Sequence, residues 1–570
     1  MRLPRLTNQA EALQVARVLV NEAKIIVKPS SPAKQLTCAL IAILGTSAVV
    51  FFFGLGRLGF LGPDEPRYAE VAREMFASGD YISTRLCGCL WFEKPALIYW
   101  MAAAGYHLFG VNELAARIPT AVAALATVAL VYFGLRRLGL TDLGLAASLV
   151  LATSGIFIAY ARVATPDMAL TATTTAALLA AFSALRSSGR AQTWLWSLAF
   201  ALVGLAVLAK GLVGIVLVVA ILGFHLVLTR ELRSIRLTDL LIGSVVFGAV
   251  AGAWYIPVTV RHGWPFIEEF FIRHHFERYV SNEFGHPQPA YFFFVVALAG
   301  MVPWTFFLIP AVARLKSLRP REDLRGSLLA LAWLWVAVTL VFFSFSESKL
   351  PGYILPSFPA LAIIIGAEIE AVWRDEQNLA QRIAVLMTGL TILIAAIAFV
   401  VYLHRESVEL SGLGAALQWL PLVVAFVSLA AIMAGHKRIL LAATGGAVIS
   451  LVIASVILLF PALQDEVSLK AFSLQAAGAL RPDEKIGFYL KKEFAPVFYS
   501  SGRVLCDSRR GQPLYALNQD MLADALENQP SMIVITDLRW VEALEGDPRF
   551  EIEYIGTQND STALRVALRR

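Results

Sequence analysis

Two aspartates and a handful of cations stand out against an apolar background. Asp64 and Glu65 lie in GPDEPRYAEVAREM, beside Arg67 and between Pro63 and Pro66, and Asp167 follows Arg162 in ARVATPDMAL. A carboxylate so placed can take a proton, orient a reactant, or merely cap the first turn of a helix, which stabilises by about 1 kcal/mol. Lys210 interrupts LAVLAKGLVG, where the turn at Gly211 does not by itself require a lysine. Glu93 and Lys94 sit between aromatics in WFEKPALIYW. There a lysine either snorkels to the membrane interface or meets a phosphate as a point charge. Lys349 and Tyr353 stand in SESKLPGYILP, where tyrosine is otherwise a belt anchor. The segment RHGWPFIEEFFIRHHFERY supplies His274 and His275 with Arg273 and Arg278, a capacity for anions or a metal ion. Adjacent histidines alone do not make a metal site, because neighbouring helical side chains diverge by about 100°.

The elements that must hold these groups are membrane helices. Of 570 residues, 58% are hydrophobic and 16% charged, and the mean hydropathy is +0.67. A soluble chain carries about 25% charged residues, so a soluble, disordered or collagen-like protein is excluded. The net charge of +6 reads as loop cations facing a membrane surface, not as a nucleic-acid footprint. Runs able to cross a hydrocarbon core of about 30 Å recur at 36–55, 115–135, 143–163, 168–186, 194–209, 211–229, 237–260, 291–314, 326–345, 353–373, 383–403, 415–434 and 438–460. A further segment, 96–109, is short and broken by polar and aromatic residues, as interfacial or re-entrant pieces are.

Charge settles how 96–109 is read. If it does not cross, Arg136-Arg137, Arg186 and Arg190, Arg230/Arg233/Arg236, the basic residues of 314–325, Arg374 and Arg382, and Lys437-Arg438 share the side of the basic leader 1–35. That is a positive-inside pattern with thirteen spans, a cytoplasmic N-terminus and an outer C-terminus. The leader shows no cleavable signal, so 36–55 is read as retained. Within it, 15–27 suits a surface-lying amphipathic helix, with a disordered leader as the alternative. The membrane portion, 36–460, then carries large outer loops at 56–114 and 261–290. After it, 461–570 reads as a soluble α/β domain with strands near 485–490, 497–499, 531–535 and 551–555. Of four cysteines, Cys38 lies in the first apolar run, while Cys87 and Cys89 are too close for an unstrained mutual bond. With Cys506 they define no disulfide or zinc framework.

This topology gathers the aspartates and cations on one face beside a greasy bundle, the chemistry of an enzyme acting on a phosphate-bearing lipid. A flippase would favour mid-membrane charges in paired halves, and here the charges lie at one face with no internal repeat. A receptor or scaffold leaves the loop aspartates without a purpose.

The acidic GPDEPRY after the first span, the Arg162-to-Asp167 stretch, and the EKP, AKG, HHFERY and SKLPGY segments resemble the GT-C glycosyltransferases. Within that superfamily they look most like the 4-amino-4-deoxy-L-arabinose lipid A transferases, relatives of the protein O-mannosyltransferases. The resemblance implies a polytopic α-helical membrane protein of about thirteen transmembrane helices with an outer C-terminal α/β domain. It implies transfer of the aminosugar from undecaprenyl phosphate to a lipid A phosphate on the periplasmic face of the bacterial inner membrane. By motif, Asp64 matches the essential first-loop acid and Asp167 its second-loop companion, with Glu65 and Arg67 as auxiliaries. Lys94, Lys210, Lys349, Arg278 and Tyr353 match surroundings of the donor phosphate. Glu93 with His274 or His275 is the place for a divalent ion, without the resemblance implying that one is required. A GT-C enzyme moving another sugar, mannose or a hexose, to protein or glycan is the alternative within the class.

Overall fold

The computed structural model describes residues 32–277, 287–374, 376–406, 410, 412–433, 439–507, 512–527 and 529–569. Among them, nine helices are long and apolar enough to cross a membrane, and eleven spans result if each of two bent pairs counts as one. The shorter apolar helices Thr37–Phe52 and Val213–Thr229 coincide with two more of the expected runs. Side chains such as Val245, Ile256, Val260, Phe294, Ile394 and Phe426 are exposed on the flanks, as lipid-facing positions require. The polytopic helical architecture is borne out, with thirteen runs helical but eleven spans at most meeting the length and composition needed.

The segment 96–109 holds one short helix. Helix Leu97–Phe109 has 13 residues, about 20 Å at 1.5 Å per residue, too short for the hydrocarbon core. It packs against helix Asp64–Ser78 in one apolar cluster with Phe472, Phe488, Phe494 and Val504 of the C-terminal region. The first loop and the C-terminal region therefore share a core at one end of the bundle. At the other end, Glu368 and Glu370 are buried against arginines, with Arg325–Glu370 at 2.7 Å and Arg374–Glu370 at 2.6 Å.

Two expected spans are bent. Thr141–Ala152 and Gly155–Ala161 meet at 67°, and Phe292–Gly300 and Thr305–Ser317 at 113°. The breaks lie against each other: the Gly155 N–H donates to the Val302 carbonyl at 3.1 Å, and the Trp304 indole donates to Thr153 Oγ1 at 2.8 Å. Irregular backbone inside a bundle is tolerated when its polar groups are satisfied in this way.

After the last membrane helix the chain forms a five-stranded sheet in the order 515–516, 486–489, 532–537, 561–568, 550–558. The first three strands are parallel and the last two antiparallel to their neighbours. The strand expected near 497–499 is instead the end of helix Ala495–Tyr499. Pro496 in its first turn favours the helix start, and Val497 and Phe498 face the shared core rather than alternating across a sheet.

Candidate active site

Helix Asp64–Ser78 opens directly on the first carboxylate. Its N-terminus has no side-chain cap. Asp64 instead accepts from Arg67 Nη2 at 2.5 Å and keeps 40% of its side chain exposed. Capping is therefore not what this aspartate does. Glu65, next to it, is fully buried. It takes both arms of Arg117, at 2.6 and 2.7 Å, and the N–H groups of Leu61 and Ala164, at 2.8 and 2.9 Å. Arg117 also donates to the carbonyls of Leu55, Leu58 and Gly59. Glu65 thus ties the first loop to two helices and fixes where Asp64 stands.

Arg67 also reaches Glu93 at 3.2 Å, and Lys94 meets the same carboxylate at 3.1 Å. The Arg67 guanidinium lies over the rings of Tyr68, Trp91 and Phe494, at 5.3, 5.9 and 5.2 Å. Burial opposes its charge, but Glu93, Tyr68 and Asp64 together hold its pKa above the ordinary arginine range. Burial, then Asp64 and Glu93, push the Tyr68 phenol well up, so it stays a neutral donor.

The second carboxylate sits at the start of helix Pro166–Ala184, again without capping. Asp167 pairs with Lys210, the last residue of helix Gly189–Lys210, and both side chains are largely buried. Gly211 follows with φ +73, the positive value that lets the chain turn at once into the next helix. The Lys210 ammonium lies 4.4 Å from the centre of the Tyr353 ring. Tyr160 is in electrostatic reach of Asp167, Asp64 and Tyr353, so it joins the two halves of the site. Its ring packs on Gly352, where an added Cβ would lie 2.6 Å from Tyr160 Cε1. Close by in sequence, Lys349 is buried at 7% exposure, and among the described residues no hydrogen bond or ion pair reaches its ammonium. The Ser348, Thr165 and Tyr99 hydroxyls are also buried without partners there.

The model of the dolichyl-phosphate-mannose-protein mannosyltransferase family matches residues 93–256, a stretch that takes in Glu93, Lys94, Asp167 and Lys210. An undecaprenyl phosphate-alpha-4-amino-4-deoxy-L-arabinose arabinosyl transferase of Pseudomonas aeruginosa strain LESB58 is 29% identical over 378 residues, 64% of this chain and 66% of the relative. Its counterpart in Pseudomonas paraeruginosa is 31% identical over 365 residues, 62% and 65% of the two chains. The chain thus spans just under two thirds of the length of these curated relatives. The crystal structure of ArnT from Cupriavidus metallidurans bound to undecaprenyl phosphate superposes with a TM-score of 0.74 at 24% identity, covering 92% of this chain and 97% of that one. The chain is similar in sequence to the aminoarabinose transferases and has the fold of ArnT. The resemblance read from the motifs is borne out, as is the fold it implied.

The structure brings Asp64, Glu65, Arg67, Glu93 and Lys94 together, and Asp167, Lys210 and Tyr353 beside them, with Lys349 near by in sequence. His274 and His275 belong to the π-helix Glu268–Glu277, but their side chains, and all of Arg278, lie outside the described residues. Among the described residues no group of three potential metal ligands occurs, and Glu93 is engaged by two cations. Sequence reasoning missed Arg117, Tyr160, Lys492 and Phe494. Tyr160 had a signal, a polar ring two residues before Arg162; the C-terminal pair had none, since only the fold carries that segment to Arg67.

Proposed function

We propose that the chain is a glycosyltransferase that moves 4-amino-4-deoxy-L-arabinose from undecaprenyl phosphate to a lipid A phosphate. The site would face the periplasm from the bacterial inner membrane, with a cytoplasmic leader (1–35), a membrane portion (36–460) and a periplasmic C-terminal domain (461–570). The observation that carries this reading is Lys349, a buried side chain whose ammonium meets no hydrogen bond or ion pair among the described residues, next in sequence to the buried, unpaired Ser348 hydroxyl. Burying an unpaired cation is costly, so the site is built to receive an anion. The names of the Pseudomonas relatives and the undecaprenyl phosphate of the Cupriavidus structure indicate which anion.

In the reaction, the bond between the sugar C1 and the polyprenyl phosphate oxygen breaks, and an oxygen of the acceptor phosphate bonds to C1. Lys210, Lys349, Lys94 and Arg278 stabilise the charge that grows on the departing phosphate, and Tyr353 adds a hydrogen bond. In a poorly hydrated site these contacts are stronger than in water. A lipid A phosphate is already anionic and needs no general base. Asp64, half open to solvent and held by Arg67, therefore orients the reactants and pairs with the sugar ammonium, while Asp167 holds Lys210 in place. No step is assigned to a divalent ion at Glu93 and the two histidines.

The test is transfer in proteoliposomes containing purified protein, aminoarabinosyl donor and lipid A, read by mass spectrometry. Wild-type protein adds an aminopentose to a lipid A phosphate; Asp64→Asn stays folded and binds donor but does not transfer. Near-normal transfer by that variant removes Asp64 from the mechanism. The family-model match over 93–256 favours one second reading, a mannosyl or hexosyl transferase with a protein or glycan acceptor. Hexose on peptide with unmodified lipid A would establish it. Translocation of labelled polyprenyl phosphate without any transfer would instead mark a flippase.

A further inference from the structure

The Cys87–Gly88 turn is an odd place for a cysteine. Arg85–Leu86 and Cys89–Leu90 pair antiparallel, with Leu86 opposite Cys89, which leaves Cys87 and Gly88 as a two-residue hairpin turn. Both have positive φ, +55° and +76°. Such turns favour Asn, Asp and Gly, whose side chains tolerate or support the left-handed conformation. Cysteine offers no such local support, so its conformation is held by the surroundings. Leu86 anchors the hairpin in the apolar cluster that contains Val504 and Ile486 of the C-terminal region, and the Gly88 N–H donates to Glu74 at 2.8 Å. From the other side, Cys506 starts a short strand two residues after Val504, paired with Gln512–Pro513. Cys87 itself packs on that cluster, which brings two free, half-buried thiols far apart in sequence to the same seam, each in electrostatic reach of the other.

We infer that Cys87 and Cys506 are a redox pair that closes to a disulfide and fastens the first loop to the C-terminal sheet region. The bond belongs to an oxidising compartment, so its formation in the cell rests on the outward placement proposed above. The co-reactant is a disulfide-bearing oxidant, protein-borne or small, written R–S–S–R. The Cys506 thiolate, favoured by the Cys87 thiol and by Lys485, attacks one sulfur and expels R–S⁻. Cys87, deprotonated, then attacks the Cys506 sulfur of the mixed disulfide and expels the second R–S⁻. Two electrons pass to the oxidant and the two thiol protons end on two R–SH. The closed pair holds the C-terminal region where Phe494 covers Arg67, so it secures one wall of the site. Cys89 is not the partner, for the spacing reason already given.

The experiment uses the full-length protein in membranes, alkylated before denaturation and mapped by mass spectrometry without reduction. The expected result is one linked peptide pair, Cys87 with Cys506, lacking two hydrogens and lost in Cys87→Ser and in Cys506→Ser but kept in Cys89→Ser. Apparent unfolding temperature should drop equally in either serine variant and no further in the double variant. Free thiols in membranes that link when the purified protein is treated with diamide would uphold the pair and overturn the outward placement. Two free thiols even after diamide, or a link from Cys506 to Cys89, would overturn the pair.

Discussion

Lys349 and Glu65 are both buried charges, and they predict opposite things. Glu65 is fully matched: four donors reach its two oxygens, and its partner Arg117 is equally buried. Removing one partner of such a pair strands the other, at about 3–5 kcal/mol. Glu65→Gln should therefore lower the unfolding temperature and the amount of folded protein in membranes, and activity should fall only in proportion. Lys349 has no partner among the described residues, so its charge is a cost in the resting protein. Lys349→Met should leave stability unchanged or raised while the donor KM rises about tenfold, the equivalent of ~1.4 kcal/mol. A drop in stability with an unchanged donor KM would assign Lys349 to the fold. Both residues were legible as charges at apolar boundaries, but their opposite roles were not. Arg117, in NELAARIPTA, reads as an ordinary helix cation; only the folded loop brings four backbone and side-chain acceptors to it.

Among the elements, the apolar runs were legible to within a turn or two of helix, because transfer from water to lipid acts on every side chain of a span. Bends were not. A run such as 143–163 has the same hydropathy straight or broken, and the break between Ala152 and Gly155 exists because a second break, at 301–304, supplies its partners. Short 96–109 was readable as non-spanning through the charges that follow it, whereas its burial under the C-terminal region was not. The paired breaks set Tyr160, near the end of Gly155–Ala161, where both aspartates act on its phenol. Thr153→Val keeps the shape of the side chain and removes the acceptor of the buried Trp304 indole. The cost of such an unsatisfied donor is about 1–3 kcal/mol. Thermal unfolding should shift accordingly, and transfer should fall through kcat as Tyr160 loses its fixed position. An unchanged melting profile would show that the indole finds another acceptor.

For the whole molecule, the question is why a soluble sheet is built onto a membrane bundle. It is not a loosely tethered module: Lys470 meets Glu113 at 2.7 Å, Tyr499 donates to Glu113 at 2.8 Å and accepts from the Phe60 N–H at 3.0 Å, and Ser468 donates to the Phe60 carbonyl. These contacts carry the segment at 490–494 to the carboxylate–arginine end of the site, where Phe494 lies on Arg67. Lys492 is exposed, with its ammonium 5.5 Å from the centre of the Phe494 ring; partial desolvation first, then Arg67, holds that ammonium below the usual lysine range. Two anionic lipids must meet in the proposed reaction, and a single cluster of cations cannot hold two phosphates without competition between them. In that proposal Lys210 and Lys349, under Tyr353, serve the donor phosphate, and Lys492 with Arg67 serves the acceptor. Under the proposed function the sheet would support the acceptor half of the site. Lys492→Ala should raise the KM for lipid A about tenfold and leave the KM for the polyprenyl-phosphate donor unchanged, with Lys492→Arg restoring the acceptor KM. An equal rise in both constants would place Lys492 in a common electrostatic field, and no change in either would leave the C-terminal region a scaffold alone.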